Sequence, residues 1–218
     1  DSATVVNVFV KPGETVSDVV FRQLRHDIIS GSLPPGTKIK LEQAKERYSI
    51  SVSSLREILS RLTTENLVIA EGQRGFEVRP ASRQELMELA DLRIVLETHA
   101  LGLAFAAGDL EWEGRIVAAH HKLAAAERRL LAGDASRTME WVRYDWEFHQ
   151  ALVSACGSRA LLALHFGGYD RYLRYQMVCV IFRGEIAADE HRALLYASPK
   201  REAARAPQIL SAHIWGCV

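Results

Sequence analysis

The sequence predicts a mainly α protein in two parts, a small winged helix-turn-helix head followed by an all-α helical bundle. Two short helical patterns separated by a break sit just ahead of two β-prone runs around a glycine-containing turn. From about Ser82 onward, long stretches rich in Ala, Leu, Glu and Arg take over, with almost no strand signal. At 218 residues the chain is long enough for two domains that each bury a core. The expected organisation is an extended or disordered arm over residues 1–14, the winged helix-turn-helix over 15–79 and the helical domain over 80–218.

The arm mixes β-branched residues with Lys11-Pro12-Gly13 and lacks a helical period. From Ser17, Val19, Val20, Leu24 and Ile28 recur at helical spacing; Thr15, Ser17 or Asp18 can cap the start and Gly31 stops it. Leu33-Pro34-Pro35-Gly36 reads as a turn. A short helix around Leu41–Tyr48, a break at Ser49-Ile50 and a second helix from about Val52 to Glu65, capped by Ser51, complete a helix-turn-helix. Leu67–Ala70 and Phe76–Val78 then flank Glu71-Gly72-Gln73-Arg74-Gly75 as a hairpin, the wing. Beyond Arg79–Ser82, helices are expected over about Ser82–Ala107, Glu111–Leu131, Ser136–Ala155, Arg159–Phe182, Glu185–Ala197 and Lys200–Trp215, with Gly108, Gly133, Gly157, Gly184 and Pro199 near the joints. Such a run of helices makes a bundle.

Charge is balanced at 27 basic and 27 acidic residues, so a DNA-binding surface has to come from local clustering rather than a global cationic field. Three cysteines, Cys156, Cys179 and Cys217, form no CxxC pair and suit a reducing compartment, so a cytoplasmic location is expected. No apolar run approaches the ~20 residues of a membrane span, and no signal peptide is expected.

The case for DNA starts from shape: one α-helix fits the major groove, and a hairpin tip can enter the neighbouring minor groove. The second helix presents Ser51, Ser53, Ser54 and Arg56 at its N-terminal end, where hydroxyls and backbone N–H groups can meet phosphate. Lys38, Lys40, Lys45, Arg47 and Arg61 gather around it, and Gln73, Arg74 and Gly75 occupy the hairpin tip. Singly, each basic residue reads as a solvated surface charge; jointly they favour DNA.

These residues resemble a known family. Leu24-Arg25-x-x-Ile28-x-x-Gly31-x-Leu33-x-Pro35-Gly36, Leu55-Arg56-Glu57-x-Leu59-x-Arg61-Leu62, Asn66-Leu67-Val68 and Arg74-Gly75-Phe76-x-Val78 are similar in order and spacing to the DNA-binding head of the GntR family of bacterial regulators. Many members read Ser-Arg-Thr-Pro-Val-Arg-Glu where this chain reads Ser51-Val52-Ser53-Ser54-Leu55-Arg56-Glu57. Val52 thus replaces an arginine that the resemblance places on DNA, and an uncommon operator sequence is implied.

In the helical part, Asp145 and His149 are spaced i, i+4, which puts a carboxylate and an imidazole on one helix face within reach of one ion. Alone, the pair also reads as a surface hydrogen bond; His191 and His213 on later helices add support. Three imidazoles and one carboxylate suit one divalent transition metal per chain, zinc first, with nickel, manganese or iron as alternatives. His26, His99, His120, His121 and His165 show no comparable pattern and are expected at the surface or in the core.

Leu92-Arg93-x-x-Leu96-Glu97, Asp145-x-x-Phe148-His149-x-x-Leu152, Glu190-His191-Arg192-x-Leu194 and His213-Ile214 resemble the FCD ligand-binding domain of the FadR-type branch of GntR regulators. The resemblance implies an antiparallel helical bundle with a central cavity, in which Asp145, His149, His191 and His213 hold a metal and an organic acid completes its coordination. Arg93 is then the expected carboxylate partner of the effector, against the alternative of an interhelical salt bridge. A finer resemblance, to the CsiR-type repressors that answer to glutarate, rests on Val52 and on Asp109-x-Glu111-Trp112-Glu113, and implies a small dicarboxylate.

The expected function is a metabolite-responsive regulator, a repressor that binds operator DNA as a homodimer and senses a small carboxylate at a metal site. One rival reading is the same fold sensing a bulky ligand without metal. Another is a metal-dependent hydrolase, against which the sequence offers no general base paired to the site, so no enzyme activity is expected.

Overall fold

The computed structural model describes residues 13–72, 75–179 and 183–218. The chain divides into two compact units, Asp1–Ala81 and Ser82–Val218. Most of the expected arm, residues 1–12, lies outside the described residues. The first unit combines three short helices and a small sheet, and the second is an α-helical bundle, as the sequence predicts.

In the first unit, α1 (Val16–Ile29) opens with a capping box: Thr15 Oγ1 accepts from the Asp18 N–H, and the Asp18 carboxylate accepts from the Thr15 N–H. Two helices follow, α2 (Leu41–Tyr48) and α3 (Val52–Thr64). Between them Ser49 takes the left-handed conformation, φ 51°, and turns the chain. Ser51 caps α3 by accepting from the Ser54 N–H at 3.2 Å. Strands β1 (Lys38–Ile39), β2 (Val68–Ala70) and β3 (Phe76–Val78) form an antiparallel sheet in the order β1-β3-β2. The sequence reading had the hairpin and missed β1, because two residues behind a Pro-Gly turn carry no alternation to detect.

Leu24 and Ile28 of α1 meet Leu55, Leu59 and Leu62 of α3 in a core closed by Leu67 and Val78, all nearly inaccessible to solvent. At its edge lies a buried acid. Asp27 accepts from Gln23 Nε2 at 2.8 Å, Arg47 Nη2 at 3.0 Å and the Tyr48 hydroxyl at 2.7 Å, tying the end of α2 to α1. Asp27→Ala strands these donors and should lower the stability of this unit by about 2 kcal/mol. Denaturant unfolding measures it, and an unchanged midpoint would mean that water replaces the carboxylate.

The second unit contains α4 (Arg83–Ala107), α5 (Leu110–Leu131), α6 (Thr138–Val153), α7 (Arg159–Cys179), α8 (Glu185–Ala197) and α9 (Arg205–Trp215). Ser82 and Asp109 cap α4 and α5. Helix α6 is preceded by a 3-10 turn, Ala135–Arg137. Residues 180–182, at the end of the expected fourth helix, lie outside the described residues. The last helix starts at Arg205, five residues later than the sequence reading from Lys200. Pro207 is the reason: it has no N–H and would clash with the carbonyl four residues back, so it fits only in a first turn. Arg201, at φ 55°, reverses the chain between α8 and α9.

Helix α4 packs on α6, α7 and α9, while α5 packs on α6 and α8, which sets α6 between two neighbours that cover its inward face. Trp112 pins α5 to α6. It is fully buried, its Nε1 donates to the carbonyls of Ala151 and Leu152 at 3.1 Å, and Phe105 meets its ring edge-on at 6.1 Å. A Cβ on Gly108 would come within 2.4 Å of that ring, so glycine is needed there. No helix among the described residues is long and apolar enough to cross a membrane.

Candidate functional site

Asp145 and His149, one turn apart on the inward face of α6, meet His191 of α8 and His213 of α9. All four side chains are buried, and one ligand atom from each lies within 4.8 Å of the others. His191 Nε2 is 3.0 Å from Asp145 Oδ1 and 3.1 Å from His213 Nε2. The rings of His149 and His213 stack at 5.3 Å between centroids.

Each histidine is held from behind by a carboxylate. Glu97 of α4 lies 2.7 Å from His149 Nδ1, Glu127 of α5 lies 2.6 Å from His191 Nδ1, and Glu190 of α8 lies 2.7 Å from His213 Nδ1. An ionised carboxylate can only accept, so each Nδ1 donates its proton and each ring presents Nε2 to the common centre. A carboxylate behind each imidazole is the arrangement that orients histidine ligands and raises their basicity toward a metal. His149 Nε2 supplies the test of fit: it is fully buried and has no hydrogen-bond partner among the described residues. Leaving such a nitrogen unpaired is costly, and a metal ion supplies the missing partner. The residues present fit a divalent metal with three nitrogen donors and one oxygen donor.

The electrostatics divide the four groups: three favour the metal-binding form, and His191 must give up a proton to bind. Burial alone would raise the Asp145 carboxyl, but the hydrogen bond to His191 and the neighbouring imidazoles hold it below its ordinary range. Burial pushes His149 down, partly offset by Glu97, and burial together with His191 pushes His213 down to about 3. His191 goes the other way: burial is outweighed by hydrogen bonds to Asp145 and Glu127, and its pKa rises to about 9. Against the penalty of burial, His213 and Arg183 hold Glu190 down to about 2.

Sequence reasoning identified the four central residues and missed their supports. Glu190 adjoins His191 in the chain, and Glu97 stands in the Leu92-Arg93-x-x-Leu96-Glu97 pattern, so both had a signal; Glu127 had none. Arg93 is buried and pairs through Nε with Glu97, one turn along its own helix rather than across helices. His165, expected to be an ordinary surface or core residue, is buried too; its Nε2 meets Glu97 at 3.0 Å and its ring stacks on Trp146 at 4.3 Å. Glu97 therefore joins Arg93 and His165 through one oxygen and His149 through the other.

In the head, Ser51, Ser53 and Ser54 cluster at the start of α3, with Ser51 Oγ 3.0 Å from both other hydroxyls, and Arg56 is exposed on the next turn. Lys40 precedes α2 and is exposed. Several other cations are engaged within the unit: Lys38 with Glu71, Lys45 with Glu42 and Arg47 with Asp27. Arg61 lies near the far end of α3, 3.8 Å from Asp18 and stacked at 3.9 Å on Phe21 of α1, so the structure does not bring it to the Ser51–Arg56 cluster. Gly75 sits in the wing at φ 104°; Gln73 and Arg74 lie outside the described residues.

Residues 16–78 match the family model described as bacterial regulatory proteins, gntR family, and residues 88–215 match that of the FCD domain. The chain is 35% identical over 201 residues to BphR of Paraburkholderia xenovorans (strain LB400), an uncharacterized HTH-type transcriptional regulator, covering 90% of this chain and 81% of that one. Over 202 residues it is also 35% identical to the HTH-type transcriptional repressor GlaR of Escherichia coli (strain K12), with 89% and 90% covered. A putative GntR regulator from Rhodococcus sp. RHA1 shares the fold with a TM-score of 0.72 at 24% identity, over 91% of this chain and 93% of that one. So does E. coli McbR/YncC, with a TM-score of 0.69 at 21% identity over 93% and 94%.

Proposed function

Since the chain belongs to the gntR family of bacterial regulatory proteins and carries an FCD domain, which makes it a DNA-binding transcriptional regulator and not an enzyme, we propose that it is a metal-dependent sensor of a carboxylate metabolite. The supporting observation is the convergence of Asp145, His149, His191 and His213 with a carboxylate behind every imidazole. These four residues hold the ion, for which zinc is proposed, and the ion supplies a Lewis-acidic seat for an oxygen ligand. Placement in the FadR-type branch rests on the Leu92-Arg93-x-x-Leu96-Glu97 and Glu190-His191-Arg192 patterns. The similarity to the repressor GlaR supports repression as the output.

The protein acts as a homodimer on a roughly palindromic operator, because a twofold pair of heads reads two half-sites. Ser51, Ser53 and Ser54 position α3 on phosphates, Arg56 and Lys40 add charge there, and the wing around Gln73, Arg74 and Gly75 approaches the minor groove, with Arg61 held against α1 in a supporting part. Effector binding biases the bundle helices; residues 79–82, between β3 and α4, carry that bias to the head. Arg56→Ala should weaken binding about tenfold on DNA selected by the wild-type protein from a random duplex pool. Fluorescence anisotropy measures this, and unchanged affinity would remove Arg56 from the interface. The sensing reading is tested by gel-shift titration of zinc-loaded protein with organic acids. It fails if operator affinity is constant with every acid that binds the bundle.

A further inference from the structure

Helix α7 is bonded to α4 at two places, one beside the metal centre and one where the bundle begins. At the first, His165 Nε2 donates to Glu97 at 3.0 Å, and the other oxygen of Glu97 holds His149 Nδ1 at 2.7 Å. Arg93 also donates to Glu97, and its guanidinium lies 4.5 Å from the ring of Tyr172, so α4 and α7 meet there a second time. At the other place the hydroxyl of buried Tyr175 accepts from the Ser82 N–H at 3.2 Å and donates to Glu85 Oε2 at 2.6 Å. Arg171 Nη2 donates to the remaining oxygen of Glu85 at 2.6 Å. Tyr172 and Tyr175 share a buried cluster with Leu86 and Leu89, which seats this end of α7 on α4.

Ser82 gives the second place its meaning. It is the first residue of the second unit and the cap of α4. In the first unit, the Arg79 N–H is fastened to the Leu67 carbonyl at 3.0 Å. Only Pro80 and Ala81 stand between that anchor and Ser82, and a proline fixes its own φ. So short a joint has little slack, and a displacement of Ser82 finds few torsions in which to dissipate. Burial alone asks the Tyr175 hydroxyl for one partner, which Glu85 supplies; the bond to Ser82 is a second, made at the joint. About 15 Å of continuous helix separates His165 from Tyr175, so the two contacts move as parts of one stiff element.

We propose that His165 and Tyr175 are positioning residues at the two ends of a lever, helix α7, which ties the state of the metal centre to the joint at Ser82. The proposal rests on the metal-dependent sensing reading above and adds its route. Glu97 answers to His149 on one oxygen and to His165 on the other, so a change in how His149 is held displaces α7 against α4. Tyr175 passes that displacement to the Ser82 backbone, and the two-residue joint passes it on. Spatial continuity alone does not make a coupling route, so the test reads the coupling itself.

Fluorescence anisotropy of the full chain on DNA selected by the wild-type protein, with zinc and after zinc is stripped, supplies that reading. Zinc should change wild-type affinity by a factor of at least about five, the lower end for coupled sites. Tyr175→Phe keeps the ring in its cluster and removes the hydroxyl alone; zinc should then change affinity by less than about twofold, with metal content as in wild type. His165→Phe should uncouple the other end in the same way, and His165→Gln, whose amide can donate to Glu97 as Nε2 does, should restore the zinc effect. A Gly-Gly insertion after Ala81 touches no buried residue and should also bring the factor below about two, so a core variant that fails to fold does not end the test. A wild-type factor under about five, or a factor above about two in Tyr175→Phe or in the insertion variant, overturns the proposal. If zinc acts equally in wild type and variants, this route falls and metal-dependent sensing stands. If no organic acid alters operator binding by the zinc-loaded protein, the sensing function falls and the proposal with it.

Discussion

Zinc-equilibrated protein carrying His191→Ala is expected to emerge from dialysis with almost no metal, where the wild type keeps about one ion per chain. Elemental mass spectrometry reads the difference directly. The substitution removes one of the four converging ligands and also frees the two carboxylates that His191 bridges, Asp145 at 3.0 Å and Glu127 at 2.6 Å. Substitution of an outer partner alone typically costs 10–100-fold in metal affinity, so loss of the ligand itself should cost more than roughly 100-fold. Glu127→Gln keeps a hydrogen-bonding group of the same shape behind His191 and belongs in the smaller class. His149→Ala should behave like His191→Ala. Full retention of metal by both alanine variants would mean that the ion is held elsewhere.

The parts of this site legible in the sequence were those whose spacing is local. Asp145 and His149 are four residues apart on one helix, so their shared face follows from helical geometry. His191 and His213 were joined to them as histidines on later helices and by resemblance, since nothing local links α6, α8 and α9. Glu127 was invisible, because a glutamate in a charged helix reads as solvated surface, yet it is 3% exposed behind His191. The same contrast runs through the fold. Ser51 marked the start of α3 and Thr15, one of three candidate caps, is the cap of α1, whereas β1 exists because β3 offers it a pairing edge, a tertiary cause with no local pattern. Within Asp109-x-Glu111-Trp112-Glu113, Asp109 caps α5, Trp112 fills the core, and Glu113 pairs with Arg201 at 2.8 Å.

Trp112→Ala, which truncates the largest fully buried side chain among the described residues, should destabilise the bundle by about 4 kcal/mol. The indole is inaccessible to solvent, and its removal leaves a cavity against Phe105 and under the Arg201 guanidinium, which lies 4.6 Å from its ring. The carbonyls of Ala151 and Leu152 would lose the donor they share. Because those carbonyls end the same helix that carries Asp145 and His149, loosening should reach the metal centre; zinc affinity should fall together with the urea midpoint followed by circular dichroism. A loss below about 1 kcal/mol would show that the cavity collapses and that α5 and α6 hold without this anchor.

The carboxylates behind the histidines also have a consequence for charge parity. Asp145, Glu97, Glu127 and Glu190 bring four negative charges into or against the bundle interior, and Arg93 and Arg183 return two positive ones. With His149, His191 and His213 neutral, as metal ligands must be, these six groups sum to two units negative, which a doubly charged cation would cancel. A monovalent ion would under-compensate and a trivalent one would overshoot, in a medium where an unbalanced charge is expensive. Asp145 and the carboxylates behind the histidines together would favour a doubly charged ion, while the types of the inner donors choose among ions of equal valence.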